Sequence, residues 1–179
     1  EYMLIALPNL DKSFTCTLFF PFEGKISFES LKTETEVTAF FEEKFKDTLP
    51  LLPDLKTEFF DNPTSSLITT RCKPWVKGKT ALIGDSAHAL VPFYGQGMNA
   101  GFEDCFGFNQ LLEKHGAINS ELLREYEALR IPDGNAIADL ALYNFIEMRD
   151  KVADETFILQ KKIEQKINAL YPEKWVPLY

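Results

Sequence analysis

The stretch Gly84-Asp85-Ser86-Ala87-His88-Ala89-Leu90-Val91-Pro92-Phe93-Tyr94-Gly95-Gln96-Gly97-Met98-Asn99 organises this chain of 179 residues. Just before it, Thr80-Ala81-Leu82-Ile83 is a short apolar run of the kind found in a buried sheet strand, and it stops abruptly at Gly84-Asp85. The pattern predicts a strand that delivers a carboxylate at its C-terminal end, then a glycine-punctuated loop, then a helix over about 98–114. In α/β sheets, ligands bind at that end of a strand. Gly95 and Gly97 let backbone approach a ligand closely, and free N–H groups at the start of the following helix favour negative charge. Asp85 cannot neutralise an anion, so it suits the hydroxyls of a sugar-like chain.

Working outward, Tyr2 to Leu7 and Phe14 to Phe20 are rich in aliphatic, aromatic and β-branched residues, and the turn-prone segment Asn9-Leu10-Asp11-Lys12-Ser13 separates them. This predicts an antiparallel hairpin. Strand alternation puts Phe14, Cys16, Leu18 and Phe20 on a core face, and Thr15, Thr17 and Phe19 on a half-polar face that is either solvent-exposed or a pocket wall. Thr33 and Glu36 form a capping box ahead of Val37, Phe40, Phe41 and Phe45, a helix that Pro50 should stop. The segment from Pro50 to Ser66 reads as a connecting loop, and Leu67 to Cys72 as a strand. Downstream, a helix from Ser120, a new one starting at Pro132 and running to about Asp150, and a last one over 155–170 complete the pattern. In the last, Phe157, Ile163, Ile167 and Leu170 form the core-facing set.

Composition narrows the function classes. Asp and Glu number 27 against 19 Lys and Arg, giving a net charge of -8 with no basic run, which argues against nucleic acid as a partner. Cys16, Cys72 and Cys105 are odd in number and contain no Cys-x-x-Cys pair, so neither a disulfide framework nor a metal site is expected. No run approaches the length of a transmembrane helix. The opening residues enter a strand-like pattern without a leader, which suggests a chain that begins inside a larger protein.

The combination of strand, Gly-Asp, loop, Pro-x-x-Gly-Gln-Gly and helix resembles the second flavin fingerprint of the group A flavin-dependent aromatic hydroxylases. The resemblance covers the whole chain and is closest to members that act on L-kynurenine. It is carried also by Met3 to Asn9, Lys12 to Phe19, Val91 to Cys105, Arg130 to Asp133, Tyr143 to Arg149 and Pro177 to Tyr179. It implies an α/β (α+β) fold: part of a Rossmann-like FAD-binding domain, with an antiparallel substrate-domain sheet and C-terminal helices. Residues 1–76 would be the substrate-binding sheet and helix, 77–130 the C-terminal part of the FAD domain, and 131–179 a helical region closing the substrate pocket.

The same resemblance implies FAD as bound cofactor, NADPH as co-substrate, and insertion of one oxygen atom from O2 into L-kynurenine. Asp85 would bind the ribityl chain, with Pro92, Gly95, Gln96, Gly97, Met98 and Asn99 along the ring system. The substrate would meet Ile5, Leu7, Thr17 and Phe19 on the sheet, Phe93 and Tyr94 at the flavin edge, and Asn144 and Tyr179 at its carboxylate, with Glu147 orienting the site. Read without the family, Asn144 is a helix-surface amide, Glu147 a partner for Lys151 and Tyr179 a chain terminus. No catalytic residue is singled out; His88 reads as structural and Cys105 as packed.

Departures from the pattern matter equally. The chain holds no Gly-x-Gly-x-x-Gly after a strand, no mid-chain Asp-Gly motif and no counterpart of the arginine that anchors the substrate carboxylate. It is therefore expected to be the C-terminal part of the enzyme, unable to hold FAD alone. Mitochondrial outer-membrane attachment, on the cytosolic face, would come from a segment beyond Tyr179. Two other readings remain: a flavin hydroxylase of another aromatic acid, and a non-catalytic interaction module.

Overall fold

In the computed structural model, residues 2–177 are described, and the chain divides between Ser66 and Leu67 into two compact units. The first opens with the antiparallel hairpin of β1 (Met3–Pro8) and β2 (Phe14–Phe19), in register from Met3 opposite Phe19 to Pro8 opposite Phe14. Its turn is held by the Asp11 carboxylate, which accepts from the Ser13 backbone N–H and hydroxyl at 3.0 and 2.6 Å. One face of the hairpin places Tyr2, Leu4, Leu18 and Phe20 against Val37, Phe40 and Phe41 of α1 (Glu34–Lys44). The expected core face is thus only half a core, because Phe14 and Cys16, on the same face nearer the turn, are exposed.

Helix α1 begins with the capping box read from the sequence: the Thr33 hydroxyl accepts from the Glu36 N–H, and the Glu36 carboxylate accepts from the Thr33 N–H. It ends at Lys44, and a 3-10 turn over Lys46–Leu51 includes Pro50. The supposed loop after it contains a helix, α2 (Leu55–Asp61). Leu55 and Phe59, one helical turn apart, pack onto the same aromatic cluster, so burial of two side chains stabilises a segment of poor helical composition.

The second unit opens with Thr70 and Cys72 donating backbone bonds to Ala89 and Ala87 without a ladder, so the expected strand over 67–72 is irregular backbone. Val76–Lys77 (β3) and Thr80–Ala81 (β4) form a short antiparallel hairpin around Gly78, whose φ is 63°. The predicted buried strand is therefore a two-residue edge, with Ile83 exposed at 42%. A buried strand needs partners on both sides, and among the described residues β4 pairs only with β3.

Four further helices follow: α3 (Asp85–His88), α4 (Gly97–His115), α5 (Ser120–Ile146) and α6 (Glu155–Leu170). Gly116 closes α4 at φ 72° in the left-handed cap expected of it. Helix α5 begins at Ser120 as expected, and Asn119 caps it by accepting from the Glu121 and Leu122 N–H groups, both at 2.9 Å. The break expected at Pro132 is absent, and α5 runs through it. Pro132 and Ala128, whose carbonyl loses its donor, are both exposed, so the freed group is not sealed in the core.

The core of this unit joins Trp75, Ala87, Leu111, Leu122, Leu123 and Tyr126. The Tyr126 hydroxyl donates to the Leu82 carbonyl at 3.2 Å, and burial pushes its pKa up. A π-helical turn, Glu147–Lys151, follows α5. In α6 the inward side carries half-buried Phe157 and Ile167, while Ile163 and Leu170 are exposed, contrary to the apolar set read from the sequence.

Candidate functional site

The residues of the organising stretch come together around one corner. Gly84 adopts φ 59° and ψ -141°, a conformation open in practice to glycine alone, and this turns the chain from β4 into α3. Its carbonyl accepts from the Ala87 and His88 backbone N–H groups at 2.8 and 3.0 Å. Asp85, the first residue of α3, is thereby presented outward; its carboxylate is exposed and makes no hydrogen bond or ion pair among the described residues.

The loop continues through a 3-10 turn, Pro92–Tyr94, to Gly95 in the left-handed region at φ 64°. Phe93 is buried and Tyr94 half-buried. Helix α4 then starts at Gly97 without a side-chain cap, and its first internal bond runs from the Ala100 N–H to the Gln96 carbonyl at 2.9 Å. The N–H groups of Gly97, Met98 and Asn99 have no partner within the helix, so the first turn of a 19-residue helix offers bare donors and the positive end of its dipole. A Cβ on Gly97 would meet nothing within 4 Å. Its φ is not positive, so neither strain nor crowding among the described residues calls for glycine there. The open space leaves room for close approach by a ligand.

These features fit FAD: an acceptor carboxylate for ribityl hydroxyls, and a glycine-lined helix start for the electron-rich edge of the isoalloxazine. A hollow of about 260 Å³ lined by Ala81, Ile83, Phe108 and Tyr126 lies elsewhere on the unit and includes none of these residues.

Beneath the corner is a buried ionic cluster that the sequence reading missed. Asp104 is fully buried on α4; its Oδ2 accepts from His88 Nε2 at 2.5 Å and from the Gly84 N–H at 2.9 Å, and its Oδ1 from Arg130 Nε at 2.8 Å. Arg130 on α5 also donates to Glu103, Asp133 and the Ala100 carbonyl. Burial pushes the Asp104 carboxyl up, but the bonds from His88, Arg130 and Gly84 outweigh it and hold the pKa below the ordinary value. The bond to Asp104 raises His88 above its ordinary value, against a smaller opposing effect of burial. Trp75 stacks on the imidazole, centroids 5.1 Å apart. Sequence held a signal for this cluster: Asp104 falls in the helical series Ala100, Asp104, Gly107, Leu111, and an acid in a buried stripe requires partners.

The residues expected on the substrate side fall in both units. In the first unit, the register puts Ile5 opposite Thr17, Leu7 opposite Thr15 and Met3 opposite Phe19, so Ile5, Leu7, Thr17 and Phe19 share one face, which is the face turned away from α1. In the second unit, the Asn144 side-chain amide donates to the Phe93 carbonyl, and Phe145 packs on Phe93 at 4.5 Å. Glu147 is buried in the π-turn, 3.9 Å from Lys161 Nζ, rather than paired with Lys151. Tyr179 lies outside the described residues. Cys105, expected to be packed, is exposed, and no described group of His, Cys, Asp or Glu could hold a metal ion. Among the described residues no helix is long and apolar enough to cross a membrane.

Residues 26–141 match the family model described as an FAD binding domain, and the chain belongs to that family. Its relatives are more particular. It is 56% identical over its whole length to a kynurenine 3-monooxygenase of Flavobacterium johnsoniae, and 44% and 48% identical to those of Dictyostelium discoideum and Sus scrofa. It covers 40%, 42% and 38% of those proteins, and they cover 99% or more of this chain. Among solved structures, tetracycline destructase Tet(51) matches 82% of this chain, and this chain 40% of it, at 23% identity and a TM-score of 0.49, a likeness too slight to carry an argument.

Proposed function

We propose that this chain is the C-terminal part of an FAD-dependent, NADPH-using monooxygenase that converts L-kynurenine to 3-hydroxy-L-kynurenine with O2. The observation that carries the proposal is the pairing of a free carboxylate at Asp85 with the uncapped, glycine-lined start of α4. When bound there, FAD supplies the electron transfer and oxygen activation that no side chain can. Asp85 accepts hydrogen bonds from the ribityl chain. The α4 N-terminus, with Pro92, Gly95, Gln96, Gly97, Met98 and Asn99 about it, stabilises negative charge on the ring edge.

On the substrate side, Ile5, Leu7, Thr17 and Phe19 offer an apolar strip with one hydroxyl, suited to an aromatic ring. Phe93 and Tyr94 flank the reacting edge, and Asn144 and Tyr179 hydrogen-bond the amino-acid carboxylate. Glu147, buried and paired with Lys161, orients this region without contacting the reacting ring. Mitochondrial outer-membrane attachment belongs to the proposal for a eukaryotic host only, since several of the relatives are bacterial.

The test is made on the longer protein. It is expected to purify yellow, with flavin absorption, and to oxidise NADPH with stoichiometric formation of 3-hydroxykynurenine. A yellow protein inert toward L-kynurenine but active on another aromatic acid would replace the substrate; a colourless one that takes up no FAD would leave a non-catalytic module.

A further inference from the structure

We propose that Asp104 is a positioning residue for the cofactor: one buried carboxylate sets the spacing between Asp85 and the N-terminus of α4. The inference rests on the flavin reading of those two elements and concerns how they are held.

Three observations support it. The first is a closed ring of hydrogen bonds. The Gly84 N–H and the His88 imidazole both donate to Asp104 Oδ2, at 2.9 and 2.5 Å, and the His88 backbone N–H donates to the Gly84 carbonyl at 3.0 Å. Gly84 is thereby fixed on both sides in a conformation that only glycine tolerates, and the direction of Asp85 is fixed with it. The second is the reach of Arg130. The guanidinium that bonds Asp104 Oδ1 also donates to the carbonyl of Ala100 in the first turn of α4, so corner and helix start are tied to the same group. The third is close approach: a Cβ on Gly101 would come within 3.9 Å of the Gly84 Cα, which shows α4 lying directly against the corner.

Asp104 does not reach the ligand side. Both its oxygens are used inward and its side chain is fully buried, so any effect on FAD must pass through Gly84 and α4. A buried acid with two cationic partners can also serve stability alone, and the experiment must separate the two roles.

In the longer protein, FAD is titrated into the apoprotein of wild type, Asp85→Ala, Asp104→Asn, the double variant, and His88→Gln, following flavin fluorescence. Melting of each apoprotein is recorded in parallel. Losing a charged partner at the corner is expected to weaken FAD binding about tenfold or more in Asp104→Asn. The double variant is expected to lose clearly less than the sum of the two single losses, because part of the Asp104 effect runs through the Asp85 contact. His88→Gln removes one side of the ring while keeping the Arg130 pair; it is expected to weaken FAD several-fold and is decisive if Asp104→Asn does not fold. Unchanged FAD affinity in a folded Asp104→Asn or His88→Gln, with only the melting temperature lowered, overturns the inference, as do additive losses in the double variant. An Asp85→Ala protein that binds FAD normally instead overturns the flavin reading of the corner, and the inference falls with it.

Discussion

Asn144 donates its side-chain amide to the Phe93 carbonyl, and so ties the loop at the proposed flavin edge to the C-terminal end of α5. The contact gives that residue two duties under the proposed function, since the same amide group is to face the substrate carboxylate. Loss of one half-buried amide is worth about 1–2 kcal/mol. In the longer protein, Asn144→Ala is therefore expected to raise KM for L-kynurenine about tenfold while FAD stays bound, measured by steady-state kinetics beside the flavin spectrum. Unchanged substrate affinity would remove Asn144 from the site and leave it as a loop anchor. The spacing of Asn144 and Glu147 showed that they share a helix face, and the contact of Asn144 with the Met148 sulfur at 3.7 Å is local in the same way; their other partners, Phe93 and Lys161, lie 51 and 14 positions away, where local periodicity carries no information.

Helix α5 contains two residues that a helix interior ordinarily excludes, and they act in opposite senses. Pro132 is exposed and deprives the Ala128 carbonyl of its donor, so Pro132→Ala is expected to stabilise the second unit by about 1–3 kcal/mol, less the entropy that proline removes from the unfolded chain. Gly134 is buried, and a Cβ there would lie 3.1 and 3.2 Å from two atoms of the Trp75 ring and 3.4 Å from His88. Gly134→Ala is therefore expected to destabilise by about 1–3 kcal/mol despite alanine's better helix propensity, because the indole is packed and cannot swing aside. Thermal melting checks both signs, and a stabilised Gly134→Ala would show that Trp75 has room to move. These residues also mark what could be read in advance. The hairpin, the Thr33 box, the Gly116 cap and the glycine-lined start of α4 are local devices encoded within a few positions. The continuity of α5 through Pro132 and the helix at 55–61 are decided by burial against distant partners, and the strand predicted over 80–83 is cut to Thr80–Ala81, which among the described residues pairs with β3 alone.

Across the molecule, buried charge is concentrated. Among the described residues the buried ionic side chains are His88, Asp104, Arg130 and Glu147, and three of these form the cluster beneath Gly84. Most other carboxylates are exposed, where solvent screens them; outside the cluster the other imidazole, His115, is largely buried against Glu125, and the part of the pH dependence that belongs to the cluster is isolated by comparison with His88→Gln. The groups facing His88 are Asp104 from α4 and, beyond it, Arg130 from α5, with the uncharged Trp75 stacked on the ring. The folded pKa of His88 is raised, so its contribution is fully present below the ordinary imidazole value near 6.5 and is lost as pH rises through the raised folded value. The folded pKa of Asp104 is lowered, so its contribution is present above the ordinary carboxyl value of 3.8 and is lost as pH falls through the lowered one. Both contributions are complete only between those two ordinary values. Melting followed from mildly acidic to alkaline pH should therefore show wild type losing its advantage over His88→Gln as the solution becomes more alkaline. A constant difference across that range would mean that folding leaves the proton affinity of the imidazole unchanged, and an advantage that grows toward alkaline pH would mean that the imidazole is held neutral in the fold, with Asp104 balanced by Arg130 alone.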